Sequence, residues 1–309
     1  MHIREANILV TGGAGTLGKA IAARRKKEGW KGRFTVYSTD THKHDRMRKD
    51  FPDIIYVQGD IRDGVTLYNA MAGHDVVIHA AAVKVIPTSE FQSIDTFHVN
   101  VEGSLSVCTM AARAGIKHVV GISTDKACRA VNAYGATKYL MEKTFQEFSR
   151  VGFGTNFHLV RYGNVIESNG SVVEAWKNAV ARGEPVKITE PSMTRFWLSP
   201  SQAVDYVLQA LHTPTGTILI PKMPALSIGK LLDYTVGGAV QQELICLRPG
   251  EKMHEELLTA EEGWYAYESK LAYLLFPTTA KRKMSPKSSY TSDIARELRR
   301  DELAELLNG

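Results

Sequence analysis

An acid, a base and a phenol sit in one short stretch of this chain: Thr124-Asp125-Lys126, then Tyr134 and Lys138, in the run STDKACRAVNAYGATK. The apolar run HVVGIS leads into it and KYLMEKTFQEF follows. A buried strand is expected to end at Asp125-Lys126, and a helix to carry Tyr134 and Lys138 at i and i+4 on one face. A phenol beside an ammonium favours phenolate, a base suited to a hydroxyl group. Asp125 and Lys126 add a second acid and base at the carboxyl end of the strand, where open α/β sheets bind ligands. Two proton-transfer devices would then share one site. On its own, Tyr-x-x-x-Lys spacing describes many solvated helix faces, so the pair takes its weight from the chain around it.

Upstream lies a nucleotide-binding start. The apolar run Ala6–Val10 precedes TGGAGTLGKAIAARRKKEG, in which Gly12, Gly15 and Gly18 make the spacing GxxGxxG. The first glycine allows a tight turn, the second a close approach of backbone to pyrophosphate, and the third close packing of helix on strand. Amides at the helix start then receive the anion. A second apolar run, Phe34–Tyr37, ends in Ser38-Thr39-Asp40, the position that chooses between dinucleotides. Asp40 argues for a ribose 2′-hydroxyl and NAD. Ser38, Thr39, Lys43 and Arg46 argue for a 2′-phosphate and NADP, the reading preferred here.

Further strand runs follow at α/β spacing: IIYVQGDI, ending in Asp60, which suits an adenine amino group; DVVIHAAA, whose three small residues admit a cofactor; then HVVGISTD and FHLVRYGNV. Helical runs alternate with them. This predicts an α/β fold, a Rossmann-like doubly wound parallel sheet over residues 1–165. A smaller C-terminal substrate-binding lobe is expected over 166–309, with 196–220 returning to the first domain.

Composition sets bounds. The 309 residues suffice for a large core, and 44% apolar with 23% charged residues is the balance of a soluble globular protein. A formal net charge of +5 suits anionic small molecules and gives no ground for nucleic acid as a partner. No apolar run approaches about 20 residues, so no membrane span is expected. No signal-peptide pattern opens the chain. Cys108, Cys128 and Cys246 suggest neither a disulfide framework nor a metal site, and Cys128 reads as a bystander. A reducing cytoplasm is the expected compartment. Lys281-Arg282-Lys283 reads as a solvated loop. Arg195, in MTRFW, and Arg248, in RPGEKMHEEL, suit bidentate recognition of a diphosphate if the fold brings them together.

In order, TGGAGTLG, HAAAVKVIP, STDKA, NAYGATK, VRYGNV, GSVV, MTRFW, IPKMP and RPGEKMHE run from the glycine loop to about Glu256. Together they resemble the extended short-chain dehydrogenase/reductases, and more narrowly the inverting UDP-N-acetylglucosamine 4,6-dehydratases of bacterial glycan biosynthesis. The TDK triplet is the specific part, since retaining dehydratases typically carry Asp-Glu there.

The resemblance implies a UDP-sugar substrate, a tightly bound NADP or NAD, no metal and a homo-oligomer. It places the dinucleotide against Gly12, Gly15, Thr16, Leu17, Gly18, Ser38, Thr39 and Lys43. Asp60, Ile61, Ala80, Ala81, Ala82, Lys84, Tyr134 and Lys138 complete that list. It places the sugar nucleotide against Lys84, Asn164, Ser171, Val172, Thr189, Met193, Arg195, Arg248 and Glu251. Tyr134 would take the O4 proton, with Lys138 lowering its pKa and binding the nicotinamide ribose. Lys126 would remove the C5 proton, Asp125 would protonate the departing 6-hydroxyl, and Thr124 would hydrogen-bond near O4. A lysine must be neutral to act so, and its pKa is expected to be lowered by burial and by Lys138. The chain departs from the family at Thr39, Ala130, Glu167 and Glu174, of which Glu167 adds charge near the expected pocket.

Two other readings stand beside this one. An epimerase or 4-ketoreductase on the same fold would not need both a C5 base and a C6 acid. A silent dinucleotide-binding regulator would need none of Asp125, Lys126, Tyr134 and Lys138.

Overall fold

The apolar runs form parallel strands, buried on both faces except at the edge strand Ile55–Gln58, as expected where helices cover both sides of a sheet. In the computed structural model, which describes residues 2–166, 172–237, 240–277 and 289–308, these are β1 (Ile8–Thr11), β2 (Phe34–Ser38), β3 (Ile55–Gln58), β4 (Val76–His79), β5 (His118–Thr124) and β6 (Asn156–Tyr162). They pair in parallel in the order β3-β2-β1-β4-β5-β6. The order reverses between β1 and β4, the switch point at which such sheets open a ligand crevice. Register sets Thr11 beside His79 and Thr124 beside Tyr162, so the strands' carboxyl ends open on one side.

Helices link the strands: α1 (Thr16–Glu28), α2 (Thr41–Asp50), α3 (Gly64–Met71), α4 (Ile86–Phe91), α5 (Ser93–Phe97), α6 (Gly103–Arg113) and α7 (Ala133–Val151). α7 starts where Asn132 Oδ1 accepts from Gly135 N at 2.7 Å and stops at left-handed Gly152, φ +75°. Phe145 of α7 lies over Gly121 of β5, where any β-carbon would meet its ring at 2.7 Å.

The second half starts with β7 (Asn164–Val165), α8 (Val172–Ala181), β8 (Val186–Ile188) and β9 (Thr194–Leu198). The chain then returns to the main sheet. In α9 (Pro200–Ala210), Ser199 and Gln202 form a capping box and Pro200 occupies the first turn. α9 packs on α1, and β10 (Ile218–Pro221) pairs in parallel with β6.

β11 (Ala225–Ser227), α10 (Ile228–Val236), β12 (Gln242–Leu244), β13 (Glu256–Leu258) and the short α11 (Ala260–Gly263) follow. β14 (Ala266–Glu268) and β15 (Ala272–Leu275) then add two antiparallel strands beyond β10, making nine among the described residues. Residues 266–275 thus lie in the main sheet, where the sequence placed them in the lobe; their run is too short to announce its pairing partner. β16 (Tyr290–Thr291) pairs with β13, and α12 (Arg300–Asn308) follows.

Two cores result. The larger fills the space between sheet and helices. The smaller gathers Ile166, Val173, Trp176, Val186, Ile188, Trp197, Leu226, Leu231, Leu232 and Leu298 with side chains of α12. Among the described residues no helix is long and apolar enough to cross a membrane.

Candidate active site

A cavity of about 1110 Å³ runs along the carboxyl ends of the strands and under the smaller core. It exceeds the roughly 300–1,000 Å³ of a single small-ligand cleft. Its wall contains Gly12, Gly15, Thr16, Leu17, Ser38, Thr39, Lys43, Asp60, Ile61, Ala80, Ala81, Ala82 and Lys84 from the first half. Thr124, Lys126, Tyr134, Lys138, Asn164, Val172, Thr189, Met193, Arg195, Arg248 and Glu251 complete the residues read from sequence. Gly18 lies beneath the wall, Asp125 behind it and Arg46 outside it. Ser171, Glu167 and Lys281-Arg282-Lys283 fall outside the described residues.

The glycine loop is built to receive a dinucleotide. Gly12 has φ +64°, and a β-carbon on it would meet Ala81 N at 2.7 Å. A β-carbon on Gly18 would meet Gly13 O at 1.9 Å, so helix and loop touch backbone to backbone. No side chain caps α1, whose first amides are left for an anion. The Ala80–Ala82 loop is fixed from below. Asn100, in the π-helical stretch His98–Glu102, accepts from Val83 N at 2.8 Å and donates to Val83 O at 2.9 Å and Thr137 Oγ1 at 3.1 Å.

At the end of β2, Asp40 caps α2 by accepting from Lys43 N at 2.9 Å, and its carboxylate pairs with Lys43 Nζ at 2.8 Å. Ser38 Oγ lies 2.7 Å from His44 Nε2. Asp60 is gripped by Arg62, with Nη2 2.6 Å from Oδ2.

The residues expected to transfer protons meet where β5 ends. Thr124 Oγ1 donates to Asp125 Oδ1 at 2.9 Å and caps the turn by accepting from Lys126 N at 3.4 Å. Lys126 Nζ lies 3.0 Å from Asp125 Oδ1, 3.3 Å from Asn164 Oδ1 and 3.3 Å from Glu255 Oε1. Asp125 is fully buried, and its Oδ2 has no hydrogen-bond partner among the described residues.

Three expectations about these groups need correction. Burial works to lower the Lys126 pKa, but Asp125 and Glu255 outweigh it and hold the amine above its ordinary value. Lys138 plays no part in that balance. The Tyr134 phenol is pushed up by burial, and the cation pulling it down is Lys126, aided by a hydrogen bond with the Thr124 side chain. Lys138 faces elsewhere: its Nζ touches Met141 Sδ at 2.9 Å, and burial lowers its pKa to about 8. Burial raises Asp125, which favours its acid form.

Arg195 and Arg248 share the cavity wall but differ in freedom. Arg195 Nη1 donates to Thr194 O at 2.8 Å and Met253 O at 3.2 Å, while Arg248 is largely exposed. Burial lowers Lys84. The thiols of Cys108 and Cys128 are raised by burial.

Glu255, in contact with Lys126, is the site residue the sequence reading missed. It stands in RPGEKMHEEL, whose charges invited attention only at Arg248 and Glu251. An acidic pair at the start of a short strand looks solvated until that strand is placed against β5.

A parallel sheet with a glycine loop at its switch point, and Tyr134, Lys138, Asp125 and Lys126 at its rim, defines an extended short-chain dehydrogenase/reductase. Residues 8–275 match the polysaccharide biosynthesis protein family, and the chain belongs to it. It is similar to the UDP-N-acetylglucosamine 4,6-dehydratase (inverting) of Campylobacter jejuni subsp. jejuni, with 35% identity over 88% of this chain and 83% of that one. It is also similar to the UDP-glucose 4-epimerase of Rickettsia conorii, with 34% identity over 98% of this chain and 95% of that one. Among solved structures, Pen from Bacillus thuringiensis superposes with a TM-score of 0.92 at 31% identity, covering 100% of this chain and 99% of that one.

Proposed function

We propose that this enzyme is a nucleotide-sugar 4,6-dehydratase that converts UDP-N-acetylglucosamine to the 4-keto-6-deoxy sugar with inversion at C5. The observation that carries the reading is the 3.0 Å contact of Lys126, which shares one cavity wall with Tyr134, with Asp125 buried behind that wall. An epimerase needs the phenol and no such pair.

Tyr134, as phenolate, takes the O4 proton. The charge on Lys126 favours that form. The bound dinucleotide would supply the acceptor for the C4 hydride and return the same hydride to C6. With C4 a ketone, the C5 proton is acidic. One proton passes from Lys126 to Asp125, which leaves a neutral amine and a carboxylic acid. Lys126 then takes the C5 proton, and the C5 electrons form the C5–C6 double bond. The C6–O bond breaks, and Asp125 gives its proton to the departing hydroxide, which leaves as water. After C6 has its hydride, C5 takes a proton from a water on its opposite face, and the proton that Tyr134 took from O4 neutralises the hydroxide left behind, which restores the phenolate. The sum is loss of one water with no net oxidation.

The dinucleotide is NADP in this reading. Asp40 is neutralised by Lys43, so its carboxylate does not stand alone against a 2′-phosphate, and Ser38, Thr39 and Lys43 offer donors to one. The part of the chain built on the smaller core holds the sugar nucleotide, through Thr189, Met193, Arg195, Arg248 and Glu251. Purified protein given UDP-N-acetylglucosamine tests the proposal: product short by one water supports it, and a product of unchanged mass supports the epimerase.

A further inference from the structure

The lysine that must take a proton from carbon sits under two carboxylates. Asp125 precedes it in sequence, and Glu255 arrives from the segment before β13. Glu255 Oε1 is 3.3 Å from Lys126 Nζ and 3.7 Å from Arg195 Nε. Its Oε2 is buried without a hydrogen-bond partner among the described residues.

The backbone fixes this meeting. Glu255 N donates to Ser292 Oγ at 2.9 Å, and Ser292 N donates to Glu255 O at 2.8 Å. Thr194 N donates to Met253 O at 3.0 Å. Just upstream, the turn at Gly250 docks on the loop that leaves Lys126. Asn132 Nδ2 donates to Gly250 O at 2.8 Å, and Lys252 Nζ to Cys128 O at 2.6 Å.

We infer that Glu255 is a positioning residue for Lys126, seating its amine at the cavity wall and stabilising the ammonium formed when it takes the C5 proton. The inference rests on Lys126 being that base. Glu255 stays ionised throughout and neither gains nor loses a proton. The proton that shuttles belongs to Lys126 and Asp125.

The groups facing Lys126 set the sign of the pH effect. Asp125 and Glu255 favour its charged form, Arg195 opposes it, the Tyr134 phenol lies beside it, and Lys252 acts on Glu255. Asn164 is neutral. An opposite charge this close shifts a pKa by about 1–3 units. Without the Glu255 charge, the Lys126–Asp125 pair binds protons less tightly, and both macroscopic pKa values fall.

Glu255→Gln removes the charge and keeps the shape. The cofactor-loaded enzyme is read in two ways: the pH profile of C5 deuterium incorporation with UDP-N-acetylglucosamine, and the pH dependence of Lys126 acetylation by acetic anhydride, located by peptide mass spectrometry. Both curves are expected to move to lower pH by about one unit or more. Glu255→Asp, which keeps the charge, is expected to restore the profile. An unshifted acetylation curve in Glu255→Gln overturns the inference.

If Glu255→Gln retains no dinucleotide and does not fold, Ser292→Ala replaces it. That variant loosens the Glu255 backbone and is expected to slow C5 exchange while C4 oxidation keeps its rate. Unchanged C5 exchange there overturns the inference. Lys126→Ala separates the two possible failures. If it still exchanges C5, the base assignment itself falls; if it blocks exchange while Glu255→Gln is unshifted, only the role of Glu255 falls.

Discussion

Lys126 Nζ and Asp125 Oδ1 lie 3.0 Å apart, with Asp125 fully buried. One proton crossing that gap turns an ion pair, useless for catalysis, into a neutral amine and a carboxylic acid. In the proposed elimination, the acid and the base would thus be made in one step. Burial favours the neutral pair, and the second carboxylate, Glu255, raises both partners, holding a proton on Lys126 and favouring the acid form of Asp125. Approach of a substrate that displaces residual water would tilt this balance toward the neutral pair.

The two devices should separate on mutation. Lys126→Ala is expected to block C5 exchange and leave C4 oxidation measurable, while Tyr134→Phe suppresses the oxidation itself. Losses on the order of 10²-fold or more are expected for removal of a positioned acid or base. Single-turnover absorbance of reduced nicotinamide reads the oxidation, and normal turnover by Lys126→Ala would remove Lys126 from the mechanism.

Lys138 is expected to trade stability for function. Its folded pKa of about 8 lies below the ordinary lysine value of 10.5, so the folded protein binds fewer protons than the unfolded chain between those pH values. Stability from this group therefore rises with pH across that window, and the cost of the buried charge is fully present below it. Lys138→Met in cofactor-free protein should raise stability at pH 7 by up to about 3 kcal/mol, the worth of the shift. The gain should fall as pH rises from about 8 and be gone above the ordinary lysine value of 10.5. Chemical denaturation at both pH values checks this, and destabilisation at pH 7 would contradict it.

Gly12→Ala should abolish dinucleotide retention. The added carbon needs φ +64° and meets the Ala81 backbone at 2.7 Å, so loop and strand end must separate. Denatured wild-type protein should release NADP in amounts close to one per chain. The variant should release less than about a tenth of that, since a shift of 1.4 kcal/mol already costs tenfold in binding. Equal release by both would contradict the cradle, and NAD alone in the wild type would reject only the choice of dinucleotide.

A buried triad tests the scaffold. Arg161, fully buried, pairs with Glu142 at 2.7 Å and Glu262 at 2.8 Å, joining α7, β6 and α11. Glu142→Ala leaves a guanidinium half-compensated in the core and should cost about 3–5 kcal/mol. An unchanged denaturation midpoint would show that the network is dispensable.

What the sequence made legible was local. Gly12, Gly15 and Gly18 announce a phosphate loop because the turn, the approach and the packing each need a missing side chain at fixed spacing. Tyr134 and Lys138 share a helix face because the helical period puts them there, and β5 is readable because an apolar run stops at a charged triplet. What stayed hidden was set by partners distant in sequence. Glu255 reaches Lys126 only through the pairing of β13 with β16 and the docking of Gly250 on Asn132. The sign of the Lys126 shift follows from that meeting, so spacing within STDKA could not reveal it. Lys138 was credited with lowering Tyr134, yet its side chain runs along α7 and sets its amine against Met141 one turn on.

The most direct test of the account is turnover of UDP-N-acetylglucosamine in D₂O, followed by mass spectrometry and NMR. The account predicts a 4-keto product that has lost one water, carries deuterium at C5 and has the L-arabino configuration. A product that keeps the original C5 configuration throughout the time course would contradict the role of Lys126 in inversion.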